Sequence, residues 1–273
     1  MNDLTTIIQN ALKEDMPSGD ITTDNLFKNE QSIALFIAKA SGIISGVTVA
    51  YETFKQVDSS LEFNVFMPDG SRVKKGDIIA RVSGLSSSIL KAERVALNFM
   101  QRMSGIATLT DLFVSQTVGT NAKILDTRKT TPNLRILEKQ AVKDGGGTNH
   151  RMNLSEMAMI KDNHIQAAGS ITKAVSILKN KIADSIKIEV EVESIEQLKE
   201  ALNTEADIIM LDNMSCPMMA ECVKITAHKK LLEASGNMSL ERIKDVALTG
   251  VDYISVGALT HSYDSLDISL KFQ

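Results

Sequence analysis

Apolar residues recur along this chain at two spacings, and the spacing changes with position. Leu4, Ile7, Ile8 and Leu12 fall at helical intervals and predict a first helix over 3–14. Turn chemistry from Asp15 through Pro17, Ser18 and Gly19 to Asp20 ends it. Residues 32–44 read as a strand and 47–57 as a helix. Over 61–66 apolar and polar residues alternate, as in a half-buried strand. A turn at Pro68-Asp-Gly70 leads to a strand over 77–82 and then a strong helix over 88–103. On that helix Arg94, Asn98 and Arg102 share one face. This first stretch is a small α+β unit.

From residue 122 the rhythm is different. Apolar runs at 122–125, 157–160, 186–192, 207–211, 231–234 and 253–256 each end in polar or glycine residues, and helix-like segments follow. From Glu191 the end markers step to Asp212, Ser235 and Gly257, at intervals of 21, 23 and 22 residues. Each step is one βα unit, which argues for parallel strands with crossover helices. Six strands are too few for a complete barrel of about 250 residues, so an incomplete α/β barrel is expected. A doubly wound open sheet is the alternative, but no Gly-x-Gly-x-x-Gly follows an early strand. In either architecture ligands bind at the carboxyl ends of the strands.

Composition narrows the function. The 273 residues carry 30 basic and 34 acidic side chains, a formal charge of -4. That balance disfavours a nucleic-acid partner, which needs a basic excess or stripe. With no Trp and 3 Tyr there is also little surface for base stacking. Cys216 and Cys222 match no metal or disulfide pattern and read as reduced thiols of a cytoplasmic protein. The N-terminus lacks the basic start and apolar core of a signal peptide. No apolar run approaches the roughly 18–20 residues that cross a bilayer, so no membrane partner is expected.

The strand ends gather charge. Arg128, Lys129, His150, Arg151 and Lys161 stand on one side, Glu191 and Asp212 on the other. Gly145-Gly-Gly147 and Ser235-Gly-Asn237 add backbone N–H groups, and Gly257 opens space after the last strand. A charge after a strand is usually a helix cap or a solvated residue. Six converging ends are harder to dismiss. Cations gathered in an acidic protein suit a polyanion, with Arg forking carboxylate or phosphate and Lys acting as a point charge. Two carboxylates suit Mg²⁺ bridging phosphates. Glu189, Glu191 and Glu193 alternate on one strand and face one side, so Arg128, Lys129, Arg151 or Lys161 should oppose them. No Walker loop and no Ser-His-Asp spacing is present.

At these residues a family resemblance becomes specific. Its motifs are Glu14-Asp15 with Gly19-Asp20-Ile-Thr22; Glu93-Arg94 through Ser104-Gly-Ile-Ala-Thr108; Asp126-Thr127-Arg128-Lys129-Thr130 with Pro132; and Gly145-Gly-Gly-Thr-Asn-His-Arg151. Ile160-Lys-Asp-Asn-His164, Glu189-Val-Glu191, Leu211-Asp-Asn213, Glu233-Ala-Ser-Gly-Asn237 and Ser255-Val-Gly-Ala-Leu-Thr-His261 follow in order. Together they resemble the quinolinate phosphoribosyltransferases, from end to end. A related group linked to molybdenum transport lacks the Asp-Thr-Arg-Lys-Thr and Lys-Asp-Asn-His signatures.

The resemblance implies an N-terminal α/β sandwich over 1–106 and an incomplete, type II phosphoribosyltransferase-like barrel over 107–263, with the tail 264–273 returning to the first domain. It implies a cytoplasmic homodimer that joins quinolinate to phosphoribosyl pyrophosphate with Mg²⁺, releasing CO₂ and pyrophosphate, in NAD biosynthesis. By the same resemblance Arg94 reaches the partner's site, Arg128, Arg151 and Lys161 hold the two quinolinate carboxylates, and Thr127 and His150 are substrate-binding. Lys129, Glu191 and Asp212 serve the ribose and pyrophosphate, the two carboxylates also holding the metal. Ser235, Gly236 and Asn237 with Val256, Gly257 and Ala258 take the 5′-phosphate. Two other readings stay open. One is a barrel isomerase or lyase for a phosphorylated sugar. The other is a carrier domain, since residues 70–78 resemble the approach to a biotinyl or lipoyl lysine, although no lysine hairpin follows.

Overall fold

The structure, a computed structural model, describes residues 4–273; the predicted helix start at residue 3 lies outside them. The chain divides into two compact units. The first holds the residues up to Asp111, with Thr130–Gly146 and Ser262–Gln273. The second holds Leu112–Lys129 and Gly147–His261.

The first unit opens with α1 (Leu4–Asp15), followed by the short α2 (Ile21–Leu26). Asp20, read from sequence as turn, caps α2 by accepting the N–H groups of Thr22 and Thr23, each at 3.0 Å. The expected strand over 32–44 is two strands, β1 (Gln31–Ala38) and β2 (Gly42–Ile43). Next come α3 (Val47–Val57), β3 (Glu62–Val65), β4 (Arg72–Val73) and β5 (Ile78–Leu85). The C-terminal strand β12 (Ile268–Phe272) completes an antiparallel sheet in the order β12-β1-β5-β3. Phe36 of β1 and Phe54 of α3 pack edge to face, ring centres 5.7 Å apart, in a core closed to solvent.

The helix α4 (Ser86–Ser115) runs well past the predicted end near Met103. In the structure Gly105 is a crossing point: a Cβ there would lie 2.2 Å from the Asp264 carbonyl oxygen. Helix α5 (Arg135–Asp144) also belongs to this unit, and Gly145 caps it through Ala141 and Lys143.

The second unit is a six-stranded sheet. Its strands are β6 (Lys123–Leu125), β7 (Ala158–Ile160), β8 (Ile188–Val192), β9 (Ile208–Asp212), β10 (Leu231–Ser235) and β11 (Tyr253–Ser255). Helices α6 (Asp162–Ala168), α7 (Ile171–Lys179), α8 (Ile195–Leu202), α9 (Cys216–Thr226), α10 (Leu240–Leu248) and α11 (Ala258–His261) alternate with them. All strand pairs are parallel, in the order β6-β11-β10-β9-β8-β7. The strands β6 and β7, consecutive in sequence, occupy the two edges. That is a barrel with one seam open, and all six strands coincide with predicted runs. Their short lengths suit polar termini, because the backbone is satisfied by neighbours while the ends are free to present side chains.

Candidate active site

A cavity of about 610 Å³ opens where the parallel strands end. After β6 the chain presents Thr127, Arg128 and Lys129 to it. Asp126, fully buried, turns the other way and accepts the His150 N–H at 2.8 Å. It thereby holds the segment carrying His150 and Arg151 beside the β6 end. Thr127 Oγ1 accepts the Lys129 N–H at 3.0 Å, and the Thr260 hydroxyl donates to the Lys129 carbonyl at 2.8 Å. The motif Asp-Thr-Arg-Lys is thus a buried anchor followed by three presented side chains.

Arg151 donates from Nη1 to the Met157 carbonyl at 2.8 Å. Burial pushes its guanidinium below the ordinary arginine value, the charge of Arg128 pushes the same way, and Glu189 opposes both. Two arginines close enough to perturb one another are set for a ligand with more than one negative charge. Across the mouth, Lys161 Nζ meets Glu191 Oε2 at 2.7 Å, and Asn213 Nδ2 donates to Asp212 Oδ2 at 2.7 Å. Ser235, Gly236, Asn237 and Gly257 complete the rim.

Not every sequence-assigned residue lines this cavity. Arg94 is exposed on α4 of the first unit. Val256 is buried, its N–H bonded to the Leu125 carbonyl at 2.9 Å, and Ala258 starts α11. The segment Gly145–Gly147, expected to offer backbone N–H groups to phosphate, is the C-terminal cap of α5 and its exit.

The three glutamates of the β8 run also part company. Glu193 lies past the strand and is exposed, and Glu191 pairs with Lys161. Glu189 is fully buried, and its partner is none of the four expected cations. It is His150, whose Nε2 stands 3.1 Å from Glu189 and 3.3 Å from Glu233. Among the described residues the Glu189 oxygens have no further hydrogen-bond partner beyond His150 and the neighbouring Glu233 carboxyl. Burial lowers the proton affinity of His150, but the bonds and charges of Glu189 and Glu233 outweigh it and raise the imidazole to about 9. Burial, reinforced by the charge of Glu233, pushes Glu189 up to about 7 against the pull of His150. The Arg151 N–H donates to Nδ1 at 2.7 Å, which leaves Nε2 as the N–H of the neutral ring. His150 and Glu189 therefore titrate as a coupled pair. Its ligand-type atoms lie within 4.8 Å of one another. A hydrogen on Nε2 already occupies the place a cation would need. His150 lines the cavity beside Arg151, with Nδ1 accepting the Arg151 N–H and Nε2 facing Glu189 and Glu233.

Sequence reading missed a layer. Met159, Met210, Glu233 and Ser255 also line the cavity. Each stands two residues before a strand-end marker (Lys161, Asp212, Ser235, Gly257), hence on the same face of its strand. Extending the two-residue period back from each marker finds them. Asn213 and Met238 come from loops and leave no such signal.

An open parallel barrel whose mouth combines two arginines, two lysines, three carboxylates and a glycine loop is the kind of site an enzyme uses for anionic substrates. Comparison with known proteins makes the class specific. The family model for the quinolinate phosphoribosyl transferase C-terminal domain matches residues 106–271, and that for the N-terminal domain matches 20–104. A probable nicotinate-nucleotide pyrophosphorylase (carboxylating) of Bacillus subtilis is 42% identical over 264 residues, 97% of this chain and 91% of the relative. The chloroplastic enzyme of Arabidopsis thaliana is 45% identical over 290 residues, 98% of this chain and 82% of the relative. The solved structure of NadC from Streptococcus pyogenes superposes with a TM-score of 0.95 at 39% identity, covering 100% of both chains. The chain belongs to the quinolinate phosphoribosyltransferase family. Its reaction transfers phosphoribosyl from phosphoribosyl pyrophosphate to quinolinate with decarboxylation, giving nicotinate mononucleotide, CO₂ and pyrophosphate in NAD biosynthesis.

Proposed function

We propose that the mouth works in two halves. Arg128, Arg151 and Lys161 clamp the two quinolinate carboxylates. Lys129, Glu191 and Asp212 serve the ribose and pyrophosphate, and the Ser235–Asn237 loop with Gly257 takes the 5′-phosphate. The observation that carries this is that Arg128, Arg151 and Lys161 line one cavity with Glu191, Asp212 and the Ser235–Asn237 loop.

Clamping both carboxylates aims the ring nitrogen at C1′, which removes much of the entropic barrier. As pyrophosphate leaves, positive charge grows near C1′, and Glu191 or Asp212 stabilises it. The alkylated ring is a pyridinium and accepts the electron pair left at C2 as CO₂ departs. The substrate carries its own electron sink. For Mg²⁺ the donor set fits: Glu191 and Asp212 are half-buried at the mouth, and each commits one carboxylate oxygen to the bonds described. Mg²⁺ bound there supplies neutralisation of the pyrophosphate charge.

The clamp is tested with nicotinate, which lacks the second carboxylate. Arg151 is buried whereas Arg128 is exposed, and leaving a buried charge unmatched costs about 3–5 kcal/mol. Nicotinate should therefore react at least ~100-fold less efficiently than quinolinate. Comparable kcat/KM values would overturn the clamp.

The working form is a homodimer in the cytoplasm in which Arg94 completes the partner's mouth. Two features support this, the first being that Arg94 is exposed. Cys216 and Cys222 are free thiols, as a reducing compartment keeps them. Arg94→Ala and Lys129→Ala, each inactive, should regain activity when their subunits exchange, because one site of the mixed dimer carries neither change. No recovery after verified exchange counts against a shared site.

A further inference from the structure

One guanidinium ties together the loops that follow β9 and β10. Arg242, in the first turn of α10, donates from Nη1 to the Gly236 carbonyl at 3.0 Å and to the Asn237 carbonyl at 3.5 Å. From Nη2 it donates to the Met214 carbonyl at 2.6 Å. The two loops also interlock directly, the Asn213 N–H donating to the Ser235 carbonyl at 3.0 Å. Three of their residues are left-handed: Asn213 at φ 53°, Gly236 at φ 93° and Asn237 at φ 48°. A Cβ on Gly236 would fall 2.1 Å from Asn213 Oδ1, so only glycine fits there. Non-glycine residues hold such backbone when their surroundings over-determine it.

The orientation of these carbonyls sets the orientation of the amides. A trans peptide is planar, with its C=O and N–H pointing opposite ways. Drawing the Gly236 and Asn237 carbonyls toward Arg242 turns the Asn237 and Met238 N–H groups away from it. Both residues line the mouth. We propose that Arg242 is a positioning residue, presetting the Asn237 and Met238 amides as a cradle for the 5′-phosphate of phosphoribosyl pyrophosphate. This rests on the reading that the 235–237 loop takes that phosphate. The planar fork suits the task, because its separate nitrogens reach carbonyls on two loops, and an ammonium presents one point.

The test measures phosphoribosyl pyrophosphate and quinolinate separately in Arg242→Ala, Arg242→Lys and Gly236→Ala. Losing charge-assisted bonds that order the cradle should raise the KM for phosphoribosyl pyrophosphate about tenfold or more in Arg242→Ala. The quinolinate Kd by calorimetry should stay within about twofold, since its clamp lies on other strands. Arg242→Lys keeps the charge and loses the fork, so it should resemble alanine; where Arg242→Ala does not fold, it carries the test. Added guanidinium should restore the alanine variant in part. An unchanged KM for phosphoribosyl pyrophosphate, or equal losses for both substrates, overturns the role of Arg242. If Gly236→Ala also leaves phosphoribosyl pyrophosphate unaffected, the phosphate assignment of the loop has failed. If only Gly236→Ala weakens it, that assignment stands and the Arg242 role alone is wrong.

Discussion

Glu138, on α5 of the first unit, and Glu189, on β8 of the second, are both closed off from solvent. Glu138 receives Arg102 through Nε at 3.2 Å and through Nη2, and the Thr131 N–H at 3.0 Å. Arg102 in turn lies over the Tyr263 ring, 5.2 Å from its centre. Both oxygens are matched by a permanent cation and a fixed amide. Glu189 has one imidazole, shares it with Glu233, and sits with its carboxyl raised to about 7. The first arrangement holds three chain segments in register and has nothing left to exchange. The second leaves charge unmatched directly below the mouth. Buried groups with unmatched charge gather at sites of chemistry, and structural ones are satisfied.

The largest expected effect breaks the satisfied pair. Arg102→Ala strands a buried carboxylate and should cost about 3–5 kcal/mol of stability in denaturant melts. A cost under ~1 kcal/mol would erase the distinction. At the mouth the loss should appear in turnover. Glu191→Gln and Asp212→Asn should react ~10²–10³ times more slowly while binding quinolinate within a few-fold by calorimetry. Early melting with joint loss of affinity and turnover would make these carboxylates structural instead. A smaller effect is expected at Glu189. Glu189→Gln keeps an acceptor for the His150 N–H and removes a poorly solvated charge, so at pH 8 its stability should lie within ~1 kcal/mol of the parent.

The smallest effect is a slope. Glu189 is raised from 4.5 to about 7, so the folded chain keeps a proton that the unfolded chain releases, and stability falls as pH rises from about 4.5 to 7. His150 is raised from 6.5 to about 9, so its contribution is complete below about pH 6.5 and is lost as pH climbs through 9. Both slopes run the same way. Glu189→Gln should flatten the lower window, read as melting temperature against pH; an unaltered slope there would mean that Glu189 titrates normally.

The two units also differ in how much of them could be read in advance. The barrel strands were legible because each is short, apolar and closed by a polar marker at regular spacing. The mouth side chains Thr127 to Lys129, Lys161, Glu191, Asp212 and Ser235 to Asn237 sit on those markers, so reading the strands located them, whereas Arg151 comes from the loop before β7. In the first unit, α3 was equally plain, but α4 was cut short. Gly105 lies inside the helix, where the close Asp264 backbone leaves no room for a side chain. The segment Gly145–Gly147 misled because a glycine run looks alike at a helix end and in a phosphate loop.

Sequence alone determined what is periodic: the strand rhythm, the parallel barrel, the charges at strand ends and, through the ordered motifs, the family. Those follow from spacings of two and about 3.6 residues and from residue chemistry, which are local. Tertiary structure decided the pairings. That His150 rather than an arginine answers Glu189, that Arg102 answers Glu138, and that Arg242 binds two loops into one rim depends on segments brought together from distant points in the chain. A side chain's partner is set by which strands adjoin and by which face each presents, and no local pattern carries that information.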